Sequence, residues 1–291
     1  MYDVIIIGKG PAGLSASLYT GRGNLKTLVI GKQSEALKNA YIENYCCSEP
    51  EKGEKLIERG IKQALEVGVE IKDEEVVGIK KNGTFTVTTT EGEYEGKAVI
   101  IATGKPRVKV KIDNIEKFEG RGVHYCVACD GFFYQGAKVG ILGFKDYAFH
   151  EIMEMETITD DITVYTNGND LEMKEENIKT IKEKGYKINY KKIKSLEGEN
   201  LLEKIIFEDG TEENINGLFV AYGSASSIDF AKKLGVVIKN NSIEVDENQK
   251  TNIDGLFAAG DCTGGITQVA TAVGQGAVAG LNAKAYVQRN F

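Results

Sequence analysis

Two stretches of the chain repeat one pattern of apolar and polar positions. "DVIIIGKGPAGLSAS" (3–17) and "KVGILGFKDYAFHEI" (138–152) each run an apolar segment into a glycine and then into helical spacing. An apolar run without alternation predicts a strand buried on both faces, as in a parallel sheet with helical crossovers. At an offset of 135 residues Gly8 falls on Gly143, Gly10 on Lys145 and Gly13 on Ala148. "AVIIATG" (98–104) and "GLFAAGDCT" (255–263) are two more buried strands that end in glycine turns. Between and beyond them the pattern predicts a strand at Asp161–Thr166 and a Lys/Glu-rich helix near 172–184. A hairpin turning at Asp209-Gly210 and a small-residue helix over 267–287 follow. The fold class is α/β.

The first copy of the repeat keeps G-K-G-P-A-G. Gly8 allows a tight turn, Gly10 lets the backbone approach a pyrophosphate, and Gly13 permits close helix–strand packing. The helix start then supplies amide donors and positive potential for phosphate. Taken alone the motif is equally a structural turn; the two later glycine-ended strands favour a bound dinucleotide.

The chain has 291 residues, enough for two domains, with 42% hydrophobic and 27% charged residues. No apolar run nears the ~20 residues that span a bilayer. The first strand follows directly on Met1 and Tyr2, leaving no space for a signal peptide, so a cytoplasmic location is expected. A net charge of −7 argues against nucleic acid as the main partner. Five cysteines are too few for a disulfide scaffold.

The most specific segment is "GRGVHYCVACDGFFYQG" (120–136), in which Cys126 and Cys129 form a Cys-x-x-Cys pair followed by Asp130. That spacing suits a small redox disulfide. A zinc half-site is the alternative, but it would need two more ligands. The chain offers only His124 and His150 and no second Cys-x-x-Cys, so no metal is expected.

With GxGPAG, ATG, a C-terminal GD and the small-residue helix, the chain resembles the two-dinucleotide-domain flavoproteins over nearly its whole length. The Cys-x-x-Cys-Asp segment resembles that of the low-molecular-weight thioredoxin reductases. The resemblance implies two Rossmann-like dinucleotide-binding-type domains, the second inserted in the first. Residues 1–113 and 246–291 would bind FAD, and 114–245 would carry the redox pair. FAD would be held by Gly8, Gly10, Pro11, Ala12 and Gly13 at the first turn, and by Gly31, Lys32 and Val76 farther along. Ala102, Thr103 and Gly104, then Gly260 and Asp261, then Asn44, Gln268 and Val269 would complete the site. Cys129 would face the flavin, Cys126 would attack thioredoxin's disulfide and Asp130 would supply protons. A homodimer is also implied.

The chain departs from that pattern in three places. Gly31 and Lys32 stand where an acidic ribose ligand is expected. Cys46-Cys47 replaces the usual proline-glycine after "ENY" (43–45). Adjacent cysteines close only a strained ring, so these two are expected as buried free thiols and Cys262 as a packing residue. In the second repeat the Gly10 position is Lys145, and "TNGND" (166–170), after the next strand, has no arginine and no acidic residue in the ribose-binding place. No arginine occurs from Phe133 to Leu256.

A nicotinamide site is therefore not expected, and Phe144, Tyr147 and Phe149 read as core filling the vacated pocket. The closest resemblance is to the ferredoxin-dependent flavin thioredoxin reductases. A ferredoxin near −400 mV lies about 130 mV below thioredoxin, worth roughly 6 kcal/mol over two electrons. Alternative readings are a dithiol oxidase that passes electrons to oxygen, nicotinamide-dependent reduction and a redox sensor. Ferredoxin or flavodoxin, both acidic, would need a basic surface. "KPRVKVK" (105–111) and "KEKGYKINYKKIK" (182–194) qualify, and the first is preferred. His124 reads as a hydrogen-bonded loop residue, and Tyr286 and Phe291 either cover the flavin or belong to a loose terminus.

Overall fold

The computed structural model describes residues 1–291 except 33–36, 38, 39, 105–109, 224 and 226. It comprises two compact units, Met1–Arg107 with Ser226–Phe291, and Val108–Ala225. In chain order the first part holds β1 (Tyr2–Ile7), α1 (Pro11–Arg22), β2 (Thr27–Ile30), β3 (Tyr41–Ile42), β4 (Glu51–Lys52) and α2 (Gly53–Glu66). It ends with β5 (Glu70–Lys72), β6 (Val76–Asn82), β7 (Thr84–Thr89) and β8 (Glu93–Ile101). The second unit holds β9 (Val123–His124), α3 (Val127–Asp130), β10 (Val139–Leu142), α4 (Asp146–Met155), β11 (Ile162–Tyr165), α5 (Glu175–Glu183) and β12 (Lys187–Asn189). Its remaining strands are β13 (Ile193–Glu197), β14 (Lys204–Phe207), β15 (Glu212–Asn214) and β16 (Gly217–Val220). The chain then returns to the first unit with α6 (Ser227–Lys233), β17 (Ile238–Lys239), β18 (Ser242–Ile243), β19 (Leu256–Ala258) and α7 (Val269–Asn290).

The sheet of the first unit runs β5-β2-β1-β8-β7-β6, with β19 also on β8. β5, β2, β1, β8 and β19 are parallel, and Ile7 lies level with Ile30 and Ile101. Val4 to Ile7 and Val99 to Ile101 are buried, as unbroken apolar runs require in parallel strands covered on both faces, and α1, α2 and α7 pack together on the face of Val4, Ile6, Ala98 and Ile100. The antiparallel pair β6–β7 covers the first half of β8. The second unit carries a parallel sheet, β12-β11-β10-β16-β9, and the antiparallel sheet β13-β14-β15 that turns at Asp209-Gly210. The observed fold is thus α/β, with the unit containing the Cys-x-x-Cys pair inserted in the other.

Residues 227–245, grouped by sequence with the inserted part, pack here with the first unit, and residues 110–113, grouped with the first part, pack with the inserted one, where Asp113 bridges Ser195. The hairpin β17–β18 sets Ser242 against Gly264. Val237 N–H donates to Asn252 Oδ1 at 2.9 Å. The sequence pattern hides this because the pairing partners lie beyond the hairpin. Among the described residues no helix is long and apolar enough to cross a membrane.

α1 and α7 touch backbone to backbone. A Cβ at Gly276 would lie 2.1 Å from Ala12 O, and one at Gly280 2.5 Å from Ala16 O. Ser15 Oγ donates to Val273 O at 2.8 Å. Small residues on α7 thus bring it close enough to clamp the first helix. We predict that Gly276→Ala costs about 1–3 kcal/mol through overpacking, or roughly 2–4 °C in Tm for each kcal/mol. Gly274→Ala, whose Cβ meets nothing within 4 Å, should hold or raise Tm through helix propensity. Thermal melts of both variants check the contrast.

Candidate functional site

The first candidate site lies at the carboxyl edge of β1, β2, β8 and β19. Gly8 takes φ +118°, and a Cβ there would stand 2.2 Å from Ala102 O. Gly8 N–H donates to Ile30 O (2.7 Å) and Ala102 N–H to Ile7 O (2.7 Å), so the turn is stitched to strands on both sides. A Cβ at Gly13 would meet Gly8 O at 2.0 Å. In contrast, nothing lies within 4 Å of a Cβ at Gly10. α1 opens at Pro11 with no side-chain cap and no acid in its first turn. Among the described residues nothing caps this helix start, and its positive end is bare.

Gly31 and Gly260 close on the same turn. A Cβ at Gly31 would lie 3.0 Å from Lys9 N, and one at Gly260, φ +83°, 2.9 Å from Ala12 Cβ. Gln275, on α7, accepts from Gly260 N–H at 2.8 Å, and Asp261 opens the short turn after it. Thr103 Oγ1 is buried without a hydrogen-bond partner among the described residues. Gly104 follows at φ +79°, and no described residue lies within 4 Å of where its Cβ would stand. Gly8, Ala12, Gly13, Gly31, Ala102 and Gly260 therefore converge, with Gly10 and Pro11 at the helix start. Asn44 Nδ2 donates to Gln268 Oε1 at 2.8 Å, just ahead of Val269 at the start of α7. Val76 is buried at the start of β6, and Lys32 is exposed and paired with Glu75 at 3.4 Å. Lys9, buried, pairs with exposed Asp73. An uncapped helix start, an open glycine and an orphaned buried hydroxyl fit the FAD implied by the motifs: Gly10 to Gly13 would hold its pyrophosphate and Thr103 would be satisfied by it.

The second candidate site is the pair Cys126–Cys129, disulfide-bonded at the start of α3. Cys126 is buried, and its Sγ accepts from Cys129 N–H at 3.2 Å. Beneath it Glu151 Oε2, also buried, accepts from Val127 N–H at 3.0 Å and anchors the first turn of α3. His124 Nδ1 lies 3.3 Å from Asp130 Oδ2, and Nε2 lies 2.7 Å from Tyr134 Oη. His124 also stacks on Phe219 with centroids 5.3 Å apart. Burial, then the charge of Asp130, push the Tyr134 phenol above its ordinary range. The tyrosine therefore stays a donor, and a neutral His124 can accept from it through Nε2 while donating from Nδ1 to Asp130. His124 is a strand residue of β9 rather than a loop residue.

Sequence reasoning missed Glu151 and Tyr134. Glu151 leaves a signal: it interrupts the buried face Tyr147, Ala148, Ile152, Met155 of α4. A buried carboxylate among apolar positions needs a partner, here the backbone of α3.

Two expectations are corrected. Cys46 and Cys47 are both exposed, not buried, with Sγ atoms 3.5 Å apart. They occupy the middle of a surface turn closed by Ser48 N–H to Tyr45 O, and no described residue covers them. Phe291 does not lie near the candidate cofactor site. It packs on Tyr286 and under Lys97, which pairs with Asp3 at the opposite end of β1 from Gly8. The 22 residues of α7 carry it there. Cys262 is buried as expected, and burial pushes its thiol up to about 12. Of the preferred basic face, Lys105, Arg107 and Lys109 lie outside the described residues, and Lys111 is exposed.

Residues 2–276 match the family described as pyridine nucleotide-disulphide oxidoreductase. The chain is 32% identical to a thioredoxin reductase of Peptoclostridium acidaminophilum, covering 100% of this chain and 98% of that one. It is similar to the crystal structure of the atypical thioredoxin reductase TRi from Desulfovibrio vulgaris Hildenborough, with TM-score 0.97, 42% identity, and 100% and 99% of the two chains covered. It is also similar to a ferredoxin-flavin thioredoxin reductase from Clostridium acetobutylicum, with TM-score 0.73, 29% identity and 99% of each chain covered. The chain belongs to the pyridine nucleotide-disulphide oxidoreductase family, as a flavin disulfide oxidoreductase whose cofactor is FAD.

Proposed function

We propose that this protein is a thioredoxin-disulfide reductase fed by an external one-electron protein donor, ferredoxin or flavodoxin, and not by NADPH. The turn after β10 carries the reading. Gly143 repeats the geometry of Gly8: a Cβ there would meet Ala221 O at 2.2 Å, and its N–H donates to Tyr165 O at 2.9 Å. The face that would bind a nucleotide is instead closed by the protein. Glu172 N–H donates to Phe144 O (2.8 Å), Lys145 Nζ pairs with Glu172 (3.0 Å), and Asp146 accepts from Lys174 N–H (3.0 Å) and Asn177 Nδ2 (2.8 Å). Residues 172–174 thus lie along the turn, and a carboxylate stands where a pyrophosphate would need positive potential.

The place a ribose would take after β11 is similarly spoken for. Asn167 Oδ1 accepts from Ile193 N–H and Asn169 Nδ2 donates to Tyr222 Oη, each at 2.7 Å. Phe144, against Tyr222, and Tyr147 are buried, as core filling requires, whereas Phe149, expected with them, is only partly buried. The likeness to a ferredoxin-flavin thioredoxin reductase supports the same donor class.

In this reading the first unit binds FAD and the second carries the redox pair, in a cytoplasmic homodimer. When bound, FAD supplies the electron pair that opens Cys126–Cys129. The Cys126 thiolate attacks one sulfur of thioredoxin's disulfide, forming a mixed disulfide and releasing the other sulfur as a thiolate. Cys129 then attacks Cys126, which re-forms the internal disulfide and releases dithiol thioredoxin. Asp130, held by His124, delivers the proton that the departing thiolate needs.

Under anaerobic conditions reduced ferredoxin and dithionite should bleach the flavin absorbance, and excess NADPH or NADH should barely do so. Rapid bleaching by either nucleotide would reverse the donor reading. Turnover with oxygen and a small dithiol, but none with thioredoxin, would favour an oxidase. Cys129→Ser should keep FAD and block electron flow to the disulfide, and Cys126→Ser should leave no attack on thioredoxin; full turnover in either refutes the roles given. Asp130→Asn should slow thioredoxin reduction by roughly 100-fold with FAD content and disulfide unchanged. His124→Gln should shift the rate in the same direction by less, since it acts through Asp130.

A further inference from the structure

We propose that Cys46 and Cys47 form a second thiol centre: a two-sulfur chelating site for a trivalent, thiophilic metalloid of the arsenite class. Ser48 N–H donates to Tyr45 O at 3.1 Å, which makes Cys46 and Cys47 the middle residues of a tight turn. Cys47 sits at φ +64°. At that turn position glycine or asparagine is the unstrained choice, and proline–glycine is the best central pair. This chain instead holds two exposed thiols there with sulfurs 3.5 Å apart.

The geometry favours a bridging atom over a direct bond. Adjacent Cα atoms are about 3.8 Å apart across a trans peptide, below the roughly 4.4–6.8 Å of ordinary disulfides. With sulfur bonds of about 2.3 Å, a 3.5 Å separation subtends about 100° at the bridging atom. That angle suits a pyramidal trivalent centre. A linear two-coordinate ion would need sulfurs about 4.6 Å apart, twice the same bond length. A tetrahedral ion would need further protein ligands, and among the described residues no histidine, cysteine or carboxylate ligand atom joins the two sulfurs within 4.8 Å. Trivalent arsenic needs only a hydroxide or carbon substituent as its third group.

The reaction balances without oxidation. Two S–As bonds form, two As–O bonds break, and each thiol proton leaves with a hydroxide as water. With Cys126 and Cys129 disulfide-bonded and Cys262 buried, these are the only exposed free thiols of the chain. The inference does not rest on the donor or thioredoxin reading.

The test uses the oxidised holoprotein, its Cys126–Cys129 disulfide intact, titrated with phenylarsine oxide. Native mass spectrometry should show one arsenical per chain, with loss of two thiols reactive toward a disulfide reagent and reversal by a small dithiol. Cys46→Ser and Cys47→Ser should each weaken binding by roughly 100-fold or more through loss of chelation, while Cys262→Ser should bind as the parent does. Cys47→Gly should lose binding while holding or raising Tm, because glycine relaxes the turn; this separates chelation from misfolding. An adduct that survives in both serine variants, or no thiol consumed in the parent, overturns the proposal. So does a resting pair already closed as a disulfide, which would make it a second redox couple.

Discussion

The approach of Gly8 to the carbonyl of Ala102 is the constraint on which the cofactor end of the first unit depends. The turn fits only because no side chain stands between β1 and the end of β8. Gly13 repeats the condition one helical turn later, against Gly8 itself. With both satisfied, α1 begins directly over the carboxyl edge of the sheet, where a parallel arrangement places its ligands. α7 then holds that start in place: Gly276 admits the Ala12 carbonyl, and Gln275 ties down Gly260. A chain of close backbone contacts, more than any one side chain, shapes the site.

The second unit shows which part of that device is architectural. Gly143 meets Ala221 as Gly8 meets Ala102, and the flanking backbone bonds are the same. Strand, turn and helix can therefore be retained whatever the turn binds. Gly10 is different, because no neighbour demands a glycine there. Its counterpart Lys145 keeps the same extended backbone and is taken up by Glu172. A glycine that a neighbouring carbonyl demands is needed whatever the turn binds, whereas one that no neighbour demands can be replaced without disturbing the turn.

Around the redox pair, polar groups are buried but matched. Glu151 takes the Val127 amide, and His124 lies between Tyr134 and Asp130. Unmatched, each would cost the desolvation of a polar group; matched, they hold the first turn of α3 and the acid beside Cys129 in fixed positions. The thiols of Cys46 and Cys47 have the opposite setting, exposed on a turn where, among the described residues, each thiol is the other's partner.

The sequence alone determined the class of fold, because unbroken apolar runs ending in glycine leave few arrangements other than buried parallel strands. It determined the duplicated turn and its altered second copy, since Gly10 and Lys145 are read directly from the repeat. The Cys126–Cys129 pair was legible because its closure is local: at a spacing of three residues, one helical turn is enough to bring the two thiols together. Tertiary structure decided what depends on distant segments. Glu151 reaches Val127 across 24 residues, and residues 172–174 close a turn formed by 143–146. Phe291 went to the far end of β1 because a helix of fixed rise carried it there, and Cys46 and Cys47 were left exposed because a four-residue turn has no interior. Periodicity records which face of an element is buried; it does not record which partner buries it, and that partner is set by packing.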